Sequence, residues 1–313
     1  MRSSAASDVY KETGKGEFTM HFHGPIVRPP TDASSLFIEV TVGCTHNSCT
    51  FCNFYEGYPF RVAPWEQIEA DVKEAAMHFP KSKKIWASGG NPFALSVEKL
   101  TRLAKLFQAY FPDCRIATYA RIDDLYQKSV EDLKNLHALG YDNLVIGIES
   151  ADDEVLAHVN KGYTGADVLR ELKKMDASGM TYRVIYLGGI GGKGKCEQDA
   201  RNTAAVLNQV HPSYLFLTTV AFLPGTPLYD EIQQGTFKEA SETERLCEFR
   251  TFIFALNNPI TIDARGAANA VSFLAHLPRD KERILVELDR LIEHMDSDTE
   301  KALQYRRSLL KSV

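Results

Sequence analysis

Short apolar runs alternate with amphipathic stretches from about residue 36 to residue 222, whereas residues 1–34 lack sustained periodicity. Residues 36–42 form a β-branched run that predicts a strand, and residues 65–79 carry apolar side chains on one helical face. The same two patterns then recur, which predicts a parallel sheet with helical crossovers. The further predicted strands are residues 84–87, 115–119, 144–148, 182–187 and 214–222, and the further predicted helices are 97–111, 129–139, one that opens near 164, and 200–210.

Six parallel strands fit either an open doubly wound sheet or most of a β/α barrel. In both folds the catalytic and ligand-binding residues lie at the carboxyl ends of the strands. The pattern changes after residue 227, and residues 240–256, about 264–276 and 278–311 are predicted to be helical. The sequence therefore predicts an α/β fold in three parts: an N-terminal extension (1–34), the α/β part (35–238) and a helical C-terminal extension (239–313).

The composition is that of a soluble globular protein, with 313 residues of which 44% are hydrophobic and 25% charged. The chain has 36 Lys and Arg residues and 41 Asp and Glu residues, which give a net charge of −5. Since this charge is negative overall, it does not favour binding to a nucleic-acid backbone. No apolar run approaches the roughly 20 residues that cross a bilayer. The polar N-terminus does not resemble a signal peptide. These features predict a cytoplasmic protein without a membrane or nucleic-acid partner.

Three of the six cysteines, Cys44, Cys49 and Cys52, lie within nine residues directly after the first predicted strand. In a cytosolic protein such clustering favours a metal site over disulfides. Three thiolates can hold three irons of a [4Fe-4S] cluster and leave the fourth iron open, or they can bind zinc together with His46. The spacing alone leaves three classes open: an iron-sulfur enzyme, a zinc-dependent hydrolase on a β/α barrel, and a non-enzymatic iron-sulfur protein. The other cysteines lie far apart in the chain: Cys114, Cys196 and Cys247.

The cysteine segment resembles that of radical S-adenosylmethionine (SAM) enzymes. In that family three cysteines, usually spaced C-x3-C-x2-C with an aromatic residue before the last, hold a [4Fe-4S] cluster whose open iron binds SAM. Here the spacing is C-x4-C-x2-C, and Phe51 occupies the aromatic position. The resemblance therefore assigns Cys44, Cys49 and Cys52 to the cluster and Phe51 to the cofactor site.

Two glycines follow the second predicted strand in the segment SGGNPF. Gly89 and Gly90 resemble the family's Gly-Gly-Glu segment, whose backbone receives the amino group of SAM, and Asn91 stands where the acid is common. Glycine permits close approach of the backbone to a ligand, although these residues also suit an ordinary strand-to-helix turn. After the third strand, Arg121 could bind a carboxylate with its guanidinium group or lie on the surface.

The segment GIESADDEVLAHVNKGYT after the fourth strand is similar to the branch that contains oxygen-independent coproporphyrinogen oxidases and methylthiotransferases. Glu149 and Ser150 match positions that contact the ribose or methionine part of SAM. An acid that ends a buried apolar run needs a partner, which favours a functional role for Glu149. In the fifth strand Arg183 matches a contact to the SAM carboxylate, but it could equally lie at the opposite end of the strand.

A glycine-rich turn, GGIGGKGKC, follows the fifth strand. It contains G-x-G-x-x-G, but the acid that a dinucleotide site requires is missing. It also contains G-x-x-x-x-G-K, but Cys196 replaces the Ser or Thr that would bind magnesium. In the radical SAM family this turn passes the adenine, which places Gly188 and Ile190 at the cofactor. After the sixth strand, the segment FLPGTPLYDEIQQGTF is similar to the same branch, and the resemblance assigns Leu223 to the cofactor site.

The resemblance implies a partial (β/α)6 barrel of TIM type and an oxidoreductase that uses a [4Fe-4S] cluster and SAM. Reductive cleavage of SAM would give a 5'-deoxyadenosyl radical that abstracts hydrogen from a small-molecule substrate. An electron donor such as flavodoxin or ferredoxin is the implied partner. The motifs name neither the substrate nor a catalytic residue that completes the reaction.

Overall fold

The computed structural model describes residues 20–310, so most of the predicted N-terminal extension, residues 1–19, lies outside the described residues. The strands are β1 (Leu36–Glu39), β2 (Thr41–Val42), β3 (Arg61–Val62), β4 (Lys84–Ser88), β5 (Arg115–Ala120), β6 (Leu144–Glu149), β7 (Tyr182–Gly188), β8 (Tyr214–Thr219), β9 (Ile260–Asp263) and β10 (Leu274–Leu277). The α-helices are α1 (Trp65–His78), α2 (Val97–Tyr110), α3 (Val130–Ala138), α4 (Asp153–His158), α5 (Gly165–Ser178), α6 (Cys196–Leu207), α7 (Pro227–Gln234), α8 (Glu242–Ala255), α9 (Lys281–Glu293) and α10 (Ser297–Ser308).

The chain forms two compact units, and the first comprises the described residues up to Asn47 together with Phe54–Ile146 and Ala177–Thr181. Its sheet has the strand order β1, β4, β5 and β6, all parallel. All four residues of β1 are buried, as expected for a parallel strand that is covered on both faces. Helix α1 buries its predicted apolar face, and Ser129 begins α3 with a capping box.

The second unit comprises Ser48–Asn53, Gly147–Asp176 and the chain from Tyr182 onward, including the last three residues of β6. Strands β7, β8 and β9 are parallel neighbours, and β10 pairs antiparallel with β9. A buried apolar cluster joins the short Ser48–Asn53 segment to the later part of the chain. Its members are Phe51, Val155, Val159, Leu187, Ile190, Val220, Leu228 and Phe237.

The six predicted strands are present as β1 and β4 to β8, with ends that differ by one to three residues. The first predicted strand is divided into β1 and β2, and β8 ends at Thr219, three residues before the predicted end at Phe222. The predicted helices at 65–79, 97–111, 129–139 and 240–256 are confirmed as α1, α2, α3 and α8. The prediction of alternating strands and helices was therefore correct.

The prediction of a helix at about 264–276 was wrong, because this segment contains β10. Its burial alternates along Leu274–Leu277, with Ala275 and Leu277 inward, which is the period of a strand. The predicted helix at 278–311 is two helices, α9 and α10. The C-terminal part of the chain is thus mainly helical with one strand pair.

The described residues 182–310 belong to one unit. The three-part domain division stays a prediction. Within residues 20–310, no helix has the length and apolar character needed to cross a membrane.

Candidate functional site

The three clustered cysteines follow β2 in one loop, and each is half-buried. All six cysteines of the chain lie in its described part, and none forms a disulfide. In the second unit, the backbone N–H of Cys52 donates to the Cys49 carbonyl at 3.2 Å, and both side chains pack against the cluster around Phe51. Phe51 itself is 8% exposed. These two thiols are therefore partly shielded from water by apolar neighbours.

The three thiols are a donor set that fits an iron-sulfur cluster, because thiolates bind iron in such centres and three of them leave one iron open. Among residues 20–310, no three His, Cys, Asp or Glu side chains come together as a metal site. The fit therefore rests on the chemistry and spacing of the cysteines.

The glycines after β4 lie against the backbone that precedes and includes Cys44. The Gly90 N–H donates to the Gly43 carbonyl at 3.0 Å, and a Cβ on Gly90 would lie 2.9 Å from Cys44 Cα. Gly89 has a φ of +147°. Since a side chain at Gly90 would collide with Cys44, glycine is required for the two loops to approach this closely.

Asn91 is completely buried, and its amide makes hydrogen bonds to Thr45, the residue that follows Cys44. Its Oδ1 accepts the Thr45 N–H at 3.0 Å, and its Nδ2 donates to Thr45 Oγ1 at 2.6 Å and to Asp124 Oδ1 at 2.8 Å. The structure thus gives the Asn91 side chain a positioning role within the protein. Its predicted contact with a cofactor stays a prediction.

Asp124 is the buried end of this hydrogen-bond chain. Its Oδ2 accepts the Arg121 N–H at 2.7 Å, and burial raises the pKa of Asp124 to about 7. The Arg121 side chain is only 6% exposed, and its Nε donates to Asp123 Oδ1 at 2.9 Å. Arg121 is therefore buried and does not lie on the surface, and its predicted contact with a cofactor stays a prediction.

Glu149, the last residue of β6, is paired with a lysine that the sequence analysis missed. Lys161 is 4% exposed, and its Nζ lies 3.4 Å from Glu149 Oε1 and 3.0 Å from the Gly147 carbonyl. The same ammonium lies 6.0 Å from the centre of the Phe51 ring and 5.4 Å from that of Tyr163. Such contacts stabilise a buried cation. No spacing pattern in NKGYT indicates this packing, which only the fold creates.

The backbone of Glu149 has a φ of +62°, a left-handed conformation that is uncommon for a residue other than glycine. Its neighbour Ser150 is completely buried, and the Ser150 hydroxyl donates to Asp199 Oδ1 at 2.6 Å and accepts the Asp152 N–H at 2.9 Å. Strained residues concentrate at functional sites. Glu149 is the stronger of these two candidates, because its backbone is strained and its side chain has one long ion pair, whereas the Ser150 hydroxyl both donates and accepts within the protein.

The turn at the end of β7 runs from Gly188, the last residue of that strand, to Ile190, and both residues are buried. Ile190 belongs to the apolar cluster around Phe51, and Leu223, after β8, is also buried. Arg183 is the second residue of β7, and its guanidinium lies 5.9 Å from the centre of the Phe216 ring. Arg183 therefore lies at the amino end of its strand, the second of the two positions that the sequence allowed.

The model of the radical SAM superfamily matches residues 38–207, more than half of the chain. The chain therefore belongs to the radical SAM superfamily and is an enzyme of the class that uses a [4Fe-4S] cluster and SAM. The predicted α/β fold class, with a mostly parallel sheet like that of the partial barrels in this superfamily, is confirmed.

Two curated relatives and one solved structure illustrate the similarity. The chain is 23% identical over 219 residues to threonylcarbamoyladenosine tRNA methylthiotransferase MtaB of Thermotoga maritima, covering 69% of this chain and 50% of MtaB. It is 26% identical over 203 residues to heme chaperone HemW of Bacillus subtilis, covering 61% of this chain and 52% of HemW. The structure of coproporphyrinogen III oxidase HemN from Escherichia coli aligns with a TM-score of 0.52 and 20% identity, covering 70% of this chain and 51% of HemN. The chain spans about half the length of these relatives.

Proposed function

We propose that this enzyme cleaves SAM reductively at a [4Fe-4S] cluster held by Cys44, Cys49 and Cys52 and uses the product radical to take hydrogen from a small-molecule substrate. An electron donor such as flavodoxin or ferredoxin would reduce the cluster. A cytoplasmic location is part of the proposal, because none of the six cysteines forms a disulfide, as is typical of a reducing compartment.

The observation that carries the proposal is the packing of Gly90 against the backbone of Cys44. In the first unit, the loop with the first cysteine contacts the loop with the glycine pair through backbone atoms. Both loops carry family motifs. This contact places the backbone of the glycine pair next to that of Cys44, as a ligand that binds both a thiolate and nearby backbone groups would require.

When bound, the cluster and SAM supply the electron transfer and the radical chemistry. The chain supplies binding groups and exclusion of water. In the second unit, Glu149 and Lys161 offer opposite charges that suit the ammonium, carboxylate and ribose hydroxyls of SAM. The apolar cluster around Phe51 shields Cys49 and Cys52. We assign the adenosine half of SAM to the turn that contains Gly188 and Ile190.

The test is single replacement of Cys44, Cys49 and Cys52 by Ala, followed by anaerobic purification and reconstitution. We expect each variant to lose most of its iron and all formation of 5'-deoxyadenosine, because a cluster held by only two thiolates is labile. Cys247→Ala is the matched control, since Cys247 is also half-buried but lies on α8. Full iron content in any of the three variants would refute the assignment.

The visible spectrum of the protein separates this proposal from the two alternatives raised by the sequence. A zinc-dependent hydrolase would be colourless and would retain zinc after purification. A non-enzymatic iron-sulfur protein would be coloured but would leave SAM intact in the presence of dithionite. The comparisons support neither alternative.

A further inference from the structure

Helix α8 packs against the turn after β7, although it lies beyond the residues that the superfamily model matches. Three of its residues face the ends of β7 and β8, and they are spaced so that they share one side of the helix. We call Arg245, Glu248 and Phe249 the α8 clamp. Glu248 is completely buried, and Arg245 and Phe249 are each 2% exposed.

Glu248 holds the backbone of the turn. One carboxyl oxygen accepts the Gly189 N–H at 2.6 Å, and the other accepts the Tyr186 hydroxyl at 2.7 Å. Burial and nearby Asp199 raise the pKa of Glu248 to about 8. Burying a carboxyl group is unfavourable unless its hydrogen bonds are made, so the position of the Gly189 amide is closely specified by this side chain.

Arg245 and Phe249 contact the ends of β7 and β8. Arg245 Nη1 donates to the Val220 carbonyl at 3.2 Å, and the Val220 N–H donates to the Gly188 carbonyl at 2.9 Å. A Cβ on Gly188 would lie 2.5 Å from Phe249 Cε1. The ends of β7 and β8 are therefore bonded to each other and packed directly on α8.

The clamp is itself anchored by the last helix of the chain. Glu239 pairs with both Arg245 and Arg307, and Arg307 also pairs with Glu242. Arg307, on α10, is 5% exposed. A charge network in which Arg245, Glu242 and Arg307 are buried thus connects α10 to the turn.

We propose that the α8 clamp positions the Gly188–Ile190 turn for binding the adenosine half of SAM, so that a helix outside the matched superfamily region completes the cofactor site. Its residues are positioning residues, which act through the backbone of the turn. The inference rests on the proposed function, since it needs SAM to bind at this turn.

The experiment compares Glu248→Ala with Glu248→Gln in the full chain, reconstituted anaerobically. Equilibrium dialysis gives the SAM affinity, iron analysis gives the cluster content, and hydrogen exchange gives the protection of the Gly189 amide. We expect Glu248→Ala to weaken SAM binding about tenfold, which corresponds to the loss of about 1.4 kcal/mol. Cluster content should be unchanged, and exchange at Gly189 should become faster.

Glu248→Gln should bind SAM within about threefold of wild type, because its amide oxygen can still accept the Gly189 N–H. Phe254→Ala is the control on the same helix, since Phe254 is 62% exposed, and it should leave affinity and exchange unchanged. If Glu248→Ala does not fold, Glu248→Asp replaces it, because it keeps a carboxyl group that is one methylene too short for both donors. We expect intermediate affinity from this variant.

Equal SAM affinity in wild type and Glu248→Ala, with faster exchange at Gly189, would overturn the clamp while leaving the proposed function intact. The clamp would also be refuted if the Gln variant lost as much affinity as the Ala variant. Wild-type protein that holds its cluster but does not bind SAM would refute the proposed function, and the role of the clamp with it.

Discussion

Replacing Asn91 by Ala should loosen the loop that contains Cys44 without changing any cysteine. The buried amide makes two hydrogen bonds to Thr45, the neighbour of Cys44, and a third to the carboxyl group of Asp124. Alanine removes all three and leaves the Thr45 N–H and the Asp124 carboxyl group without these partners.

The magnitude follows from the number and kind of these bonds. Each neutral hydrogen bond to Thr45 contributes about 1 kcal/mol, and the bond to the Asp124 carboxyl group contributes about 1.5 kcal/mol or more. The variant should therefore lose about 3 to 4 kcal/mol of stability in the first unit. The share that belongs to Thr45, about 2 kcal/mol, corresponds to an increase of about 30-fold in the open population of the loop.

The assay is the rate at which a chelator removes iron from the reconstituted protein under anaerobic conditions, followed by the visible absorbance of the cluster. We expect iron loss at least tenfold faster in Asn91→Ala than in wild type. Ser129→Ala is the control, because it removes the N-cap of α3 in the same unit and costs about 1 kcal/mol at a site far from the cysteines in sequence.

Iron retention in Asn91→Ala equal to that of wild type would refute the reasoning, provided that urea denaturation shows the expected loss of stability. Fast iron loss in Ser129→Ala would also refute it, since general destabilisation of the first unit would then be sufficient.

Two further predictions concern Glu149 and the buried acids. Glu149→Gln should weaken SAM binding about tenfold at unchanged cluster content. Glu154→Gln is the control, because the Glu154 side chain is 79% exposed, and it should bind SAM as wild type does. Equal SAM affinity of wild type and Glu149→Gln in a dialysis titration would show that Glu149 does not bind SAM. Because burial raises the pKa of Asp199 to about 7 and of Glu248 to about 8, the folded protein retains protons that the unfolded chain releases above about pH 4 to 5. Urea denaturation should therefore show that the free energy of unfolding falls as pH rises from about 5 to about 8. If this free energy fell as steeply with pH in Glu248→Gln as in wild type, the contribution of Glu248 would be refuted.

The strands at the candidate site were predictable because a buried parallel strand is a short apolar run with few alternatives. The segment with β10 was not, because its run of small and apolar residues fits a helix locally, and only pairing with β9 makes it a strand. Helix α4 has six residues, which is too short for a helical period to be visible.

The sequence allowed candidate residues to be proposed where a motif lies in one loop, as with the cysteines and the glycine pair, and their roles stay predictions. Lys161 and Glu248 were not predictable, because their importance comes from contacts with residues 12 and 59 positions away in the chain. The cofactor contact predicted for Asn91 stays a prediction, and its fully bonded amide could be known only from the packing around Thr45 and Asp124.

The make-up of the second unit has a consequence for the synthesis of this protein on the ribosome. Ser48–Asn53 belongs to a unit that otherwise begins at Gly147, and the apolar cluster around Phe51 includes Phe237. At about 5 to 20 residues per second, roughly 190 residues and about 10 to 40 seconds separate the two aromatic residues. Cys49 and Cys52 therefore lack these packing partners during that interval, so we expect the proposed cluster to be inserted only after residue 237 has been synthesised.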